Sequence, residues 1–136
     1  MKFTTRGRYG IRAIAYIAEN SGKGPVPLSQ IASNLQLSEN YLEQLLRLLK
    51  KDGILVSERG AQGGYNISRS PKNIFLKDII KSLEGMSFSS VCTDMSNKCE
   101  VLDCPTRKVA LKLDNAIADA IDNYSLYDIM EKDDLK

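Results

Sequence analysis

A mostly α-helical fold carrying one small β-hairpin is predicted by three observations. Apolar residues recur at helical spacing in five stretches of this 136-residue chain. Between the third and fourth stretches lie two short apolar segments, joined by a loop with glycines at both ends. The last third carries one long apolar stripe that a domain this small does not need for itself. Together they describe a winged helix-turn-helix domain followed by a long C-terminal helix. The expected division is residues 1–75 for the winged helix-turn-helix and 76–136 for the remainder.

The first helix runs from Thr5 to Asn20, with Ala13, Ile14, Ile17 and Ala18 facing in and Arg12 and Glu19 facing out. Ser21-Gly22-Lys23-Gly24-Pro25 stops it. A short helix follows over Leu28 to Leu35, with Ile31, Ala32 and Leu35 inward. Gln36-Leu37-Ser38 is a tight connection, and Ser38 is a good N-cap for a strong helix from Glu39 to about Lys51. The inward face of that helix is Leu42, Leu45, Leu46 and Leu49; its outward face is Asn40, Glu43, Gln44, Arg47 and Lys50. Asp52-Gly53 ends it. Strands are expected at Ile54–Val56 and Tyr65–Ile67, joined by the Gly-rich run from Glu58 to Gly64.

Pro71 breaks the chain, and Leu76 to Leu83 forms another helix. A polar loop from about 84 to 104 then leads to Pro105, which suits the first turn of a last helix over about 105–124. Val109, Leu113, Ala116, Ile117, Ala120, Ile121 and Tyr124 make one stripe on it, and Asp114, Asn115, Asp119 and Asp122 fall off that stripe. Pairing with a second copy is the expected use, giving a symmetric dimer, with packing onto the chain's own winged helix as the alternative. The charged tail beyond Leu126 is expected to fray in part.

The charge is unevenly placed. Residues 1–75 hold 11 Lys/Arg against 5 Asp/Glu, and residues 76–136 hold 8 against 12. A basic first part suits nucleic acid, and an acidic second part suits assembly or sensing. The N-terminus has basic residues and no long apolar run, so neither a signal peptide nor a membrane anchor is expected, and the cytoplasm is the expected compartment. The chain has no histidine for a Cys–His or Ser–His pair, so it does not read as an enzyme.

Double-stranded DNA is the expected partner. A recognition helix must carry side chains that hydrogen-bond base edges in the major groove. Asn40, Glu43 and Gln44 have that chemistry, and Tyr41 suits a thymine methyl or a phosphate. Ser38 heads the helix. On the wing, Arg59 suits a narrow minor groove, Gln62 sits in the same loop, and Gly60, Gly63 and Gly64 allow the backbone close to a duplex. The loop lacks the Gly-Lys-Ser/Thr ending of a nucleotide-binding loop.

The only cysteines, Cys92, Cys99 and Cys104, share the loop before the last helix. Three readings stand: an iron–sulfur cluster, a disulfide with a free thiol acting as a redox switch, and zinc or no ligand at all. Zinc usually takes four ligands in short paired spacings, and an odd thiol count in a chain without a secretion signal does not suit a disulfide framework. The cluster is preferred.

Three segments resemble the IscR/NsrR-type family of winged-helix transcription regulators: Met1-Lys2-Phe3-Thr4-Thr5-Arg6-Gly7-Arg8-Tyr9-Gly10, Ser38-Glu39-Asn40-Tyr41-Leu42-Glu43-Gln44-Leu45, and Arg59-Gly60-Ala61-Gln62-Gly63-Gly64-Tyr65. The resemblance implies a homodimer held by the long C-terminal helix, each chain reading one half of a pseudo-palindromic operator. In cluster-binding members three loop cysteines ligate the cluster, and Cys92, Cys99 and Cys104 match them, although family spacing is more often five and five. The histidine that often completes the set is replaced by Arg107, and the N-terminal acid that does so in nitric-oxide sensors is replaced by the Arg6 to Arg8 region. A nearby acid (Asp94, Glu100 or Asp103), a backbone or other side-chain donor, or an exogenous group remains as the candidate fourth ligand.

The expected cofactor is [2Fe–2S], with [4Fe–4S] as the alternative. The expected function is a repressor that senses cluster status and controls cluster biogenesis genes. Two alternatives stay open: a nitric-oxide or redox-responsive regulator, and a cluster-free regulator of cysteine and sulfur metabolism, a branch with a similar N-terminal half.

Overall fold

A computed structural model describes residues 4–85 and 104–131. Helix α1 (Thr5–Glu19) is capped by the Thr4 side chain, which accepts from the Gly7 N–H. A 3₁₀ turn (Ser21–Lys23) leads to α2 (Leu28–Leu35) and α3 (Glu39–Lys51). The turn between α2 and α3 is made by Gln36, a non-glycine residue in the left-handed region (φ 57°), with the Leu37 N–H bonded to the Ala32 carbonyl at 3.0 Å. Helix α3 ends on Gly53 (φ +77°). Its N–H reaches the Lys50 carbonyl, and the Ile54 N–H reaches the Leu49 carbonyl. Buried Ile54 supplies the apolar contact that completes this glycine stop.

Strands β1 (Leu55–Glu58) and β2 (Gly64–Ile67) pair antiparallel, Leu55 opposite Ile67 and Glu58 opposite Gly64. The first strand therefore starts one residue later than expected and takes in Glu58, because Ile54 is used to close α3. A β-bridge between Val26 and Tyr65 anchors the hairpin to the segment before α2, through reciprocal bonds of 2.8 and 2.9 Å.

A second 3₁₀ turn (Pro71–Asn73) leads to α4 (Leu76–Glu84). Helix α4 packs on both α1 and α3, and its Ser82 hydroxyl donates to the Leu48 carbonyl at 2.9 Å. Close approach of α1 to α4 depends on Gly10, where an added Cβ would meet Leu83 Cδ2 at 2.7 Å. One apolar core collects Ile14, Ile17, Ile31, Leu42, Leu46, Leu49, Ile54, Leu55, Ile74, Ile79, Leu83 and Leu126.

After residues 86–103, which lie outside the described set, come α5 (Pro105–Ile121) and α6 (Leu126–Met130). The start of the charged tail is helical: Leu126–Met130 is a helix docked on α1 and the second 3₁₀ turn. A capping box between Ser125 and Asp128 starts it, and Leu126 is fully buried. Residues 132–136 lie outside the described set.

The α5 stripe also divides. Ala110 is buried, and Arg107, Asp114, Ile117 and Ile121 are half-buried, so this face lies against the chain's own domain. Asp114 thus belongs to the inner face. Val109, Leu113, Ala116, Ala120 and Tyr124 stay exposed, Val109 by 59% and Leu113 by 55%.

Candidate nucleic-acid interface

Helix α3 is amphipathic enough to bury four leucines and leave its opposite face in solvent. Asn40, Glu43 and Gln44 are exposed on that face. Glu43 forms an ion pair of 3.8 Å with Arg47 one turn on, a contact open to water and worth little to stability. The Ser38 hydroxyl is occupied in capping, accepting from the Tyr41 N–H at 3.2 Å, so its first role is to start the helix.

The wing presents Arg59 and Gln62 on an exposed turn closed by a bond from the Gly63 N–H to the Gly60 carbonyl at 3.0 Å. Only Gly60 of the three wing glycines is open on its Cβ side. A Cβ at Gly63 would meet the backbone of Glu58 and Arg59, and one at Gly64 would meet the backbone of Val26 and Pro27. Gly63 and Gly64 are therefore required by the fold of the wing itself. Tyr65 of β2 connects wing and helix: burial raises its hydroxyl above the ordinary tyrosine value, with the Glu43 carboxylate adding to the rise and Arg47 opposing it.

Sequence reasoning counted the arginines of α1 as charge but did not assign them to a site. The Tyr9 ring meets the Tyr41 ring edge-on, centroids 6.3 Å apart and planes at 89°. Arg8 and Arg12 both lie over Tyr9, at 5.9 and 5.6 Å from its centroid. The i, i+4 spacing of Arg8 and Arg12 was the signal available in the sequence.

Of the three cysteines, Cys92 and Cys99 lie outside the described residues, as do Asp94, Glu100 and Asp103. Cys104 is half-buried at the N-cap position of α5. The Thr106 hydroxyl, then the backbone N–H groups of Arg107 and Thr106, hold its thiol below the ordinary cysteine value. Among the described residues no three His, Cys, Asp or Glu side chains gather closely enough to hold a metal ion. No described helix is long and apolar enough to cross a membrane.

The profile of the Rrf2 family, described as "Iron-dependent Transcriptional regulator", matches residues 3–132. The protein rrf2 of Nitratidesulfovibrio vulgaris is 35% identical over 132 residues, 96% of this chain and 87% of that one. The solved structure of CymR (YrzC), titled the global cysteine regulator of B. subtilis, superposes with a TM-score of 0.79 at 34% identity, covering 96% of each chain. That of T. potens IscR superposes with a TM-score of 0.78 at 36% identity, covering 100% of this chain and 93% of that one.

Proposed function

The chain belongs to the Rrf2 family of transcriptional regulators, and we propose that it is a cluster-sensing member. On this reading it is a cytoplasmic homodimeric repressor that holds an iron–sulfur cluster on Cys92, Cys99 and Cys104 and controls cluster biogenesis genes. It is a DNA-binding regulator and not an enzyme, as its relatives are named. Residues 1–75 read the duplex, α3 in the major groove through Asn40, Tyr41, Glu43 and Gln44, and the wing through Arg59 and Gln62. Residues 76–136 sense and pair. The exposed side of α5, with Val109, Leu113, Ala116 and Ala120, supports pairing with a second copy across a pseudo-palindromic operator.

The observation that carries the sensing role is the three-cysteine loop, whose last member heads α5. Three thiols in one stretch of a chain without histidine supply three soft sulfur donors, the chemistry that suits iron–sulfur ligation. Cys104, held toward its thiolate form, fits that set. Asp94, Glu100, Asp103 or an exogenous ligand completes it, and [2Fe–2S] is favoured over [4Fe–4S]. When bound, the cluster supplies a centre responsive to iron supply and to oxidants. Glu84 ends α4 at one side of the loop and Cys104 begins α5 at the other. A cluster held between them is therefore joined through the chain to both helices.

Anaerobic reconstitution with iron and sulfide tests this. A brown protein with visible absorption is expected, and each Cys→Ala variant should lose iron and change DNA binding. A colourless, iron-free wild type would refute it. That outcome favours a cluster-free or thiol-switch regulator of cysteine metabolism, the reading supported by similarity to CymR.

A further inference from the structure

Helices α1 and α3 carry four exposed arginines, and they are not equivalent. Arg47 is paired with Glu43. Arg6 donates to the Leu83 carbonyl at 3.5 Å. Arg8 and Arg12 are exposed, and among the described residues neither meets a carboxylate. They stand at i, i+4 on one helix, where like charges repel by a few tenths of a kcal/mol, and the first turn of α1 holds no acidic residue to offset this. Helix stability alone therefore gives no reason for the pair.

What holds them is an aromatic ring. Both guanidinium groups lie over Tyr9, within the distance at which a ring face attracts a cation. Stacking restricts their rotamers before any ligand arrives, which lowers the entropy lost on binding one. Tyr9 is in turn half-buried and fixed edge-on against Tyr41. Tyr41 is in the first turn of α3, its N–H held by Ser38, between exposed Asn40 and Glu43. The two cations are thus held in register with the start of the helix that reads bases.

We propose that Arg8 and Arg12, stacked on Tyr9, form a phosphate clamp that seats the DNA backbone beside the N-terminal end of α3. The ligand is a phosphodiester anion, whose oxygens match the donor fork of a guanidinium. Charge complementarity and continuity with α3 identify the strand: the backbone flanking the groove that α3 enters. The clamp carries no sequence information itself; it sets the register from which Glu43 and Gln44 read. Tyr9 is a positioning residue. The inference rests on the assignment of α3 to the major groove.

The test starts from a duplex selected by the wild-type protein from a random library. Binding to that duplex and to unrelated DNA is then measured by fluorescence anisotropy between roughly 50 and 200 mM salt. Arg8→Gln/Arg12→Gln should lower affinity by roughly tenfold per arginine at low salt, the scale of one charge-assisted hydrogen bond. Its log–log salt slope should shrink by about 0.9 per lost phosphate contact in each bound chain. The loss should be the same on selected and unrelated DNA, with base preference unchanged. Tyr9→Leu should weaken binding, and Tyr9→Phe, which keeps the ring face, should bind as wild type does.

An unchanged salt slope in the double variant would overturn the clamp. So would a change in sedimentation behaviour, which would assign these arginines to contact between protein chains. Failure of wild type to select any duplex would instead overturn the major-groove assignment of α3.

Discussion

Replacing Gly64 by alanine probes the join between the wing and the body of the domain. The new methyl would point at the Val26 carbonyl and lie 2.8 Å from the Pro27 nitrogen. These are backbone atoms and cannot rotate away. Relief requires the reciprocal Val26–Tyr65 bonds, 2.8 and 2.9 Å long, to open. Two backbone hydrogen bonds contribute about 1 kcal/mol each, and the overpacking adds roughly 1–3 kcal/mol. The expected loss is about 3–5 kcal/mol, a large share of the roughly 5–15 kcal/mol that holds a domain of this kind together. Gly60→Ala is the control. No atom lies within 4 Å of its added methyl, and only its positive φ of +110° resists the change, worth about 1–2 kcal/mol. Urea unfolding followed by circular dichroism measures both, with an unchanged m-value expected. A Gly64→Ala protein as stable as wild type, or more stable than Gly60→Ala, would refute the claim that Gly64 is required by the Val26 contact.

Three other outcomes are expected. Glu43→Ala should alter which sequences bind, by roughly 1–3 kcal/mol at the base it reads, while leaving stability nearly unchanged because its pair with Arg47 is exposed; selection from a random duplex library checks this, and an unaltered preference removes Glu43 from the groove. Arg59→Ala should weaken binding most at sites with A·T-rich flanks, and an equal loss on every sequence would mean it touches only phosphate. Asp128 accepts from the Ser125 N–H at 2.8 Å and the Ser125 hydroxyl at 2.9 Å, which hold its carboxyl below the ordinary range. Its stabilisation is therefore present above about pH 4 and lost as pH falls through the lowered value. Urea unfolding should show wild type ahead of Asp128→Asn at neutral pH, with the gap closing in strong acid; a gap independent of pH would show that the carboxylate charge is not what caps α6.

Resemblance, periodicity and turn chemistry read from the chain agree with the observed order of helix, helix-turn-helix, hairpin and, after α4, the long helix α5. The winged-helix fold and the regulator family were legible because their signals are local. Leucines at helical spacing, Ser38 as a cap and Gly53 as a stop act within one or two turns of their own helix. The same locality made Asn40, Glu43 and Gln44 visible as an outward face before any packing was known.

Contacts between distant segments were not legible. Helix α6 is held by the Leu126 N–H on the Ile74 carbonyl and the Leu76 N–H on the Tyr124 carbonyl, each 2.7 Å, and nothing near Ser125 specifies Ile74 as a partner. The α5 stripe reads as one apolar face, because burial against one's own domain and burial against another copy demand the same residue types. Only packing turned Ile117 and Ile121 inward and left Val109 and Leu113 in water. Gly64 reads in sequence as room for a ligand, and the space proves to be filled by the backbone of Val26. The sequence by itself determined the helices from α1 to α5 and which side chains have base-reading and thiol chemistry, since those depend on neighbours a few bonds away. Tertiary structure alone decided where α6 docks, which side of α5 stays free and that Arg8 and Arg12 share the Tyr9 ring beside Tyr41. Those arrangements depend on which surfaces meet, and periodicity does not encode that.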